Sequence, residues 1–108
     1  MKKKHLHWFL WVINIPTITL KYMAVLKGLS EEPIKSINIE GDTLKDLLDY
    51  LKNKESPKVR SRLFNEDGSL HSDIIIFING KDYNLIGGLN TKIKDGDEIV
   101  ILPTVHGG

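Results

Sequence analysis

The chain has 108 residues, enough for one domain and too few for two. Its 41% apolar and 27% charged residues are the balance of a globular domain with one core, which excludes a disordered or fibrous chain. Fifteen basic residues against fourteen acidic leave a net charge of +1, without the basic excess expected of a nucleic-acid-binding domain. Cysteine is absent, so disulfides, zinc–thiolate sites, iron–sulfur clusters and a cysteine nucleophile are all excluded. The composition fits a reducing cytoplasm.

Lys2, Lys3 and Lys4 precede an apolar run from Leu6 to Ile15, interrupted only by His7 and Asn14. A basic head before a short apolar stretch outlines a secretory signal. Yet the run holds His7, Trp8 and Trp11, and no small-x-small cleavage site follows. It is also well short of the ~20 residues that span a bilayer. For residues 1–16 an added strand, an apolar extension and residues read from an upstream start codon all stay open.

From Thr17 to Val25 the residues alternate, with Ile18, Leu20 and Tyr22 on one face, which predicts a half-buried strand. Gly28 to Pro33 reads as a turn, and Ile34 to Ile39 as a second strand with Ile37 and Ile39 on one face. These two form a hairpin. Leu44, Leu47, Leu48 and Leu51 at i, i+3, i+4 and i+7 then make one apolar helical stripe. Asp42 or Thr43 supplies the N-cap oxygen, and Asp46 sits in the first turn, where negative charge suits the helix dipole. Pro57 stops that helix, and Lys58 to Phe64 reads as a further short helical turn.

Asp73 to Ile78 is apolar after its first residue, rich in isoleucine and too short for a helix, so it predicts a buried strand. Asn79-Gly80 is a hairpin signal, because both central positions of that turn favour positive φ. Leu85 to Leu89, with Gly87 and Gly88, reads as irregular or a brief strand. Asp95-Gly96-Asp97 is a tight turn, and Glu98 to Leu102 is the last strand. Alternation sets Ile99 and Ile101 against Val100 and Leu102. The order predicts an α+β fold: one main helix across one face of a mixed sheet, with the first and last strands central and parallel. The expected core is Ile18, Leu20, Leu44, Leu47, Leu48, Leu51, Ile75, Phe77, Ile99 and Ile101.

Side chains equipped for catalysis are few. His5 and His7 share a side of an extended segment but lack a third ligand, so no metal site is expected. His71 has no nucleophile at a recognisable spacing. Asp95, Asp97 and Glu98 lack the EF-hand spacing and are assigned to turn chemistry. Gly87-Gly88 is not followed by the Gly-Lys-Ser/Thr of a phosphate loop. No nucleophile, base and oxyanion hole assemble. The end of the chain differs. Gly107-Gly108 lies a few residues beyond a core strand, an improbable coincidence with only 9 glycines in 108 residues. A tail without Cβ atoms can enter a channel too narrow for side chains, and its reactive group is the Gly108 carboxylate.

The stretch from Thr17 to Gly108 resembles the ubiquitin-like β-grasp sulfur carriers, among them the small subunit of molybdopterin synthase and the thiamine-biosynthesis sulfur carrier. Lys81 to Leu89, then Lys94-Asp95-Gly96-Asp97-Glu98-Ile99-Val100, then Val105-His106-Gly107-Gly108 most resemble the ubiquitin-related modifier. Leu20 to Ala24, Asp42 to Leu48 and Pro103 are similar to the molybdopterin-synthase subunit. The resemblance implies a domain over residues 17–106, with a terminal Gly-Gly at 107–108 and no activity or bound cofactor of its own.

In such a protein the Gly108 carboxylate is adenylated by a ubiquitin-activating-type enzyme that uses ATP, and is then converted to a thiocarboxylate by a sulfurtransferase or thiolation enzyme. His106 and Gly107 form the tail. The acceptor of the sulfur is a tRNA uridine or a cofactor precursor, and the tail can also join to protein lysines. The implied setting is cytoplasmic, without direct nucleic-acid or membrane binding. Partner docking is expected on the sheet face away from the helix, centred on Val100 and Leu102. A non-catalytic β-grasp binding module with incidental glycines is the alternative.

Overall fold

The computed structural model describes residues 15–104. Strand β1 (Thr17–Tyr22) is followed by a short helix α1 (Val25–Leu29) and strand β2 (Ile34–Asn38). Helices α2 (Leu44–Lys54) and α3 (Pro57–Leu63) come next, then β3 (Ile74–Ile78) and the two-residue β4 (Lys81–Asp82). A single-turn helix α4 (Tyr83–Ile86), a 3₁₀ turn (Gly88–Asn90) and β5 (Glu98–Pro103) complete the fold. The sheet order is β2-β1-β5-β3-β4, with β1 antiparallel to β2 and parallel to β5. The predicted hairpin and the central parallel pair are both present.

Periodicity explains which face each element buries. Ile18, Leu20 and Tyr22 from β1 and Ile99 and Ile101 from β5 are at most 1% exposed. They pack with Leu44, Leu47, Leu48 and Leu51 of α2 in one cluster. Thr43 caps α2: its hydroxyl accepts from the Asp46 N–H, and the Asp46 carboxylate accepts from the Thr43 N–H. This reciprocal pair satisfies donors that the first helical turn leaves unpaired. Asn79 and Gly80 have φ of 51° and 82°, as a tight β3–β4 turn requires.

Three expectations change. In β3 the buried residues are Ile74, Ile76 and Ile78, whereas Ile75 and Phe77 are half-buried on the opposite face. A run of five apolar residues carries no period of its own. Pairing with β5 sets the phase instead: Ile76 faces Ile101 and Ile78 faces Ile99. Second, β1 ends at Tyr22 rather than Val25, because Ala24 has φ 56° and the chain turns into α1, which buries Leu26. Third, the Leu85–Leu89 stretch runs from the end of α4 through Gly87 into the 3₁₀ turn rather than being irregular or extended; the Asp82 carboxylate starts α4 by accepting from the Asn84 N–H. The further short helical turn expected after Pro57 is present as α3, which adds Val59 and Leu63 to the core beside the main helix.

Candidate functional site: the exit of strand β5 and the open face of the sheet

Strand β5 lies between β1 and β3, so ladders on both sides hold the strand that leads into the tail. At its end the Met23 N–H donates to the Ile101 carbonyl at 3.0 Å, and the Thr104 N–H donates to the Asp73 carbonyl at 2.7 Å. Asp73 is itself fixed. Arg62 of α3 holds its carboxylate with both terminal guanidinium nitrogens, at 3.1 and 2.6 Å. The guanidinium keeps the Asp73 carboxyl below the usual carboxylate range. A lowered folded value means the pair contributes above the carboxyl's ordinary pKa of about 4 and is lost as pH falls through the lowered one.

The chain from α3 to Thr104 is therefore one mechanical path to the point where the tail begins. Arg62→Ala is expected to speed amide exchange at Thr104 several-fold while changing global stability little, because the ion pair is solvent-accessible and screened. Exchange measured by NMR on both chains checks this. Unchanged protection at Thr104 would show that the β3–β5 ladder alone holds the exit.

Val100 and Leu102 point away from the helices, as alternation requires, and both are half-buried. Their cross-strand neighbours complete the surface. Val100 lies between Lys21 and Phe77, and Leu102 lies beside Ile75. Ile34 opposes Lys21 at the β2 edge, and Met23 follows β1 at its end; these two are 57% and 43% exposed. Lys21 pairs with Glu98 at 2.9 Å and Asp82 opposes Phe77, so charges flank the apolar strip. The face is thus wider than its two central residues. The part from β3 has no signal in the local sequence, because it follows from the phase that β5 imposes.

On the other side of the sheet, the Tyr22 hydroxyl donates to Glu55 at 2.6 Å, and the same carboxylate takes Lys35 Nζ at 2.6 Å. Burial, then the hydrogen bond and the charge of Glu55, push the Tyr22 phenol far above its ordinary value. It stays a neutral donor. The group ties the end of α2 to β1 and β2, and its members are 20 and 33 residues apart, so no local spacing announced it.

The remaining candidates are held by hydrogen bonds. Within its turn Asp97 accepts from the Lys94 N–H, as expected; it also accepts from Asn79 Nδ2, and Asp95 accepts from the Thr17 N–H, so this turn is tied to the β3–β4 turn and to the start of β1. His71 Nε2 lies 3.0 Å from the Ser61 carbonyl. Among the described residues no group of three or more His, Asp or Glu is placed to hold a metal ion, and no helix is long and apolar enough to cross a membrane. His5 and His7, and the tail residues His106, Gly107 and Gly108, lie outside the described residues.

Residues 17–108, the β-grasp sheet with its tail, match the family model described as Urm1 (Ubiquitin related modifier). The chain belongs to this family. It is 41% identical over 66 residues to the "Ubiquitin-related modifier 1 homolog" of Bombyx mori, a match covering 61% of this chain and 60% of that protein. It is 40% identical over 76 residues to the "Sulfur carrier protein CysO" of Mycobacterium tuberculosis, covering 68% of this chain and 81% of that protein. Its fold superposes on a chain of the crystal structure of the BexX/CysO complex of Amycolatopsis orientalis with a TM-score of 0.64. That match is 31% identical and covers 84% of this chain and 99% of the other. The ubiquitin-related modifier family comprises small ubiquitin-like carriers and modifiers rather than catalysts. The chain is a ubiquitin-like sulfur-carrier protein with the β-grasp fold.

Proposed function

We propose that the chain carries sulfur on the Gly108 carboxylate. The supporting observation is that the family match runs through residue 108 and so takes in the Gly-Gly that follows the central strand. A carboxylate resists attack until it acquires a leaving group. In the proposed reaction an activating enzyme directs a Gly108 carboxylate oxygen onto the α-phosphorus of ATP, displacing pyrophosphate and leaving an acyl-adenylate. The terminal sulfur of a sulfurtransferase persulfide then attacks the carbonyl carbon and AMP leaves. Cleavage of the acyl disulfide by a thiol releases the thiocarboxylate. The chain supplies no thiol, so sulfur travels on the terminus alone.

The partners are the adenylating enzyme and a sulfurtransferase or thiolation enzyme, acting in the cytoplasm. The acceptor is a tRNA uridine or a cofactor precursor, with protein lysines as a second destination of the activated tail. Docking uses the open face around Val100 and Leu102, which places the enzyme on the surface of the strand that leads into the tail.

The test is ATP–pyrophosphate exchange by the cognate adenylating enzyme, with the native chain and with Val100→Asp. The native chain supports exchange. The variant is expected to abolish it while losing only about 1–2 kcal/mol of stability, mostly strand propensity, because Val100 is not in the core and Lys21 is beside it. A melting point lowered by much more than this would show that position 100 is structural and would remove it from the docking face.

A further inference from the structure

Leu85, Ile86 and Leu89 are 83%, 39% and 44% exposed, and they follow one another closely in the chain. The single-turn helix α4 and the 3₁₀ turn bury none of their residues, and only Tyr83 packs in part against the core. Scattered exposed leucines are ordinary, but three large apolar side chains on two adjoining turns mark a contact surface.

The stretch that carries them is fastened at both ends. At its start the Asp82 carboxylate accepts from the Asn84 N–H at 2.9 Å, and near its end the Thr91 hydroxyl donates to the Gly88 carbonyl at 2.6 Å. The Leu44 N–H donates to the Thr91 carbonyl and the Ile93 N–H to the Asp42 carbonyl, which ties the stretch to the start of α2. Thr91 and Ile93 are buried. A surface on such a base loses little backbone freedom when a partner binds.

Charge gives the surface its selectivity. Ile86 borders a hollow of about 240 Å³ that Ile78, Lys81, Lys92, Lys94 and Asp97 also line. Among the described residues Lys81 and Lys94 are in no ion pair, and Lys92 meets only Asp42, in an exposed pair at 2.9 Å. The Asp97 carboxylate is committed to Asn79 Nδ2 and the Lys94 N–H. Three ammonium groups thus border an apolar hollow whose lining carboxylate is already hydrogen-bonded. The hollow is smaller than the roughly 300–1,000 Å³ of small-molecule sites, and it suits one apolar side chain of a protein segment.

We propose that α4, the 3₁₀ turn and this hollow form a second docking site, for an acidic segment of a partner protein that inserts one large apolar side chain. The anchor packs against Ile86 beside Leu85 and Leu89, and flanking carboxylates pair with Lys81 and Lys94. The site is separate from the open face. Ile78 and Lys81 are cross-strand partners on the helix side of the sheet, whereas Phe77 and Asp82 share the opposite face. It is also remote from the tail. The Asn79 N–H donates to the Glu98 carbonyl at the start of β5, and the chain leaves for the tail after Pro103, about 20 Å away along the strand. A protein held on α4 leaves the tail and Val100 accessible, so it can stay bound while the adenylating enzyme works. That consequence rests on the docking reading above; the site itself does not.

The test is a phage-displayed library of random peptides selected on the full chain. The expected outcome is enrichment of peptides with carboxylates around one leucine, isoleucine or phenylalanine. A synthetic copy of the leading peptide should shift amide resonances over residues 81–94. Leu85→Asp should weaken its binding about tenfold, the effect of losing one apolar anchor. Lys81→Glu combined with Lys94→Glu should weaken it as well and remove its sensitivity to added salt. Both variants change exposed side chains, and circular dichroism confirms that they fold.

Failure to enrich any peptide overturns the proposal. So do enriched peptides that are basic or uncharged, or resonance shifts that map to Val100 and Leu102. Self-association of the native chain in sedimentation, abolished by Leu85→Asp, overturns it in favour of a second copy as occupant. Pyrophosphate exchange keeps the two docking readings apart. Leu85→Asp should support exchange at the native rate; a loss like that expected of Val100→Asp would place α4 in the adenylating enzyme's interface and overturn a separate site. If Val100→Asp exchanges normally while Leu85→Asp loses the peptide, the second site stands and the open-face reading fails.

Discussion

Deleting Gly108 is expected to reduce ATP–pyrophosphate exchange to background while leaving the melting point unchanged. The two effects separate because a glycine has no side chain to add to the core cluster, whose members among the described residues run from Ile18 to Ile101. The deletion leaves a carboxylate, now on Gly107, so chemical reactivity is retained and only position is lost. A terminus one residue short retreats by up to ~3.5 Å, the span of one extended residue. Near-attack geometry tolerates far less, since an error of about 1 Å can cost on the order of a hundredfold in rate. Gly107→Ala tests the channel separately. It keeps the length but adds a Cβ, and it should slow exchange without shifting the melting point. Exchange at the native rate after deletion would show that the terminal carboxylate is not the group activated.

Leu51→Ala carries the largest expected effect on stability. Leu51 is 0% exposed and is the last residue of the α2 stripe, packed in the cluster with both central strands. Truncation removes buried methyl groups and leaves a cavity that the sheet, fixed by ladders on both sides of β1 and β5, cannot close fully. The expected loss is about 2–5 kcal/mol by denaturant unfolding. For a domain this size the total stability is only about 5–15 kcal/mol, so the variant should be substantially destabilised. A loss below ~1 kcal/mol would mean that α2 does not seal the core.

The parts of the fold that were legible in the sequence are those with a period or a turn rule. The leucines of α2, the alternation of β1 and β5, and Asn79-Gly80 each specify their own geometry, and the structure follows them. Where the local pattern was uniform, long-range pairing decided. Ile74 to Ile78 could have buried either set of alternate residues; the register with Ile99 and Ile101 chose Ile74, Ile76 and Ile78. The end of β1 has a related cause. Ala24 is the next position on the face of Ile18, Leu20 and Tyr22, but its positive φ redirects the chain so that Leu26 fills the core. The Tyr22–Glu55–Lys35 group and the Arg62–Asp73–Thr104 path join residues far apart in sequence, and no spacing rule reaches them.

The candidate site was legible in a different way. Gly-Gly at the terminus and the split of β5 into two faces both follow from the sequence alone. The breadth of the open face does not. The sequence reading places Ile75 and Phe77 in the core, whereas the phase of β3 sets them beside Val100 and Leu102. Ile34 joins the same strip from an edge strand, through its pairing with Lys21. What the structure adds to the tail is its base: a central strand, two terminal hydrogen bonds, and an ion pair behind one of them.

The most direct test is the intact mass of the full chain after incubation with its adenylating enzyme, ATP and a persulfide sulfur donor, followed by fragmentation. The expected result is a mass gain equal to the exchange of one oxygen for one sulfur, dependent on ATP and found only in fragments that contain Gly108. A gain that appears without ATP, or one carried by fragments ending before Gly107, would contradict the assignment of the terminal carboxylate as the sulfur carrier.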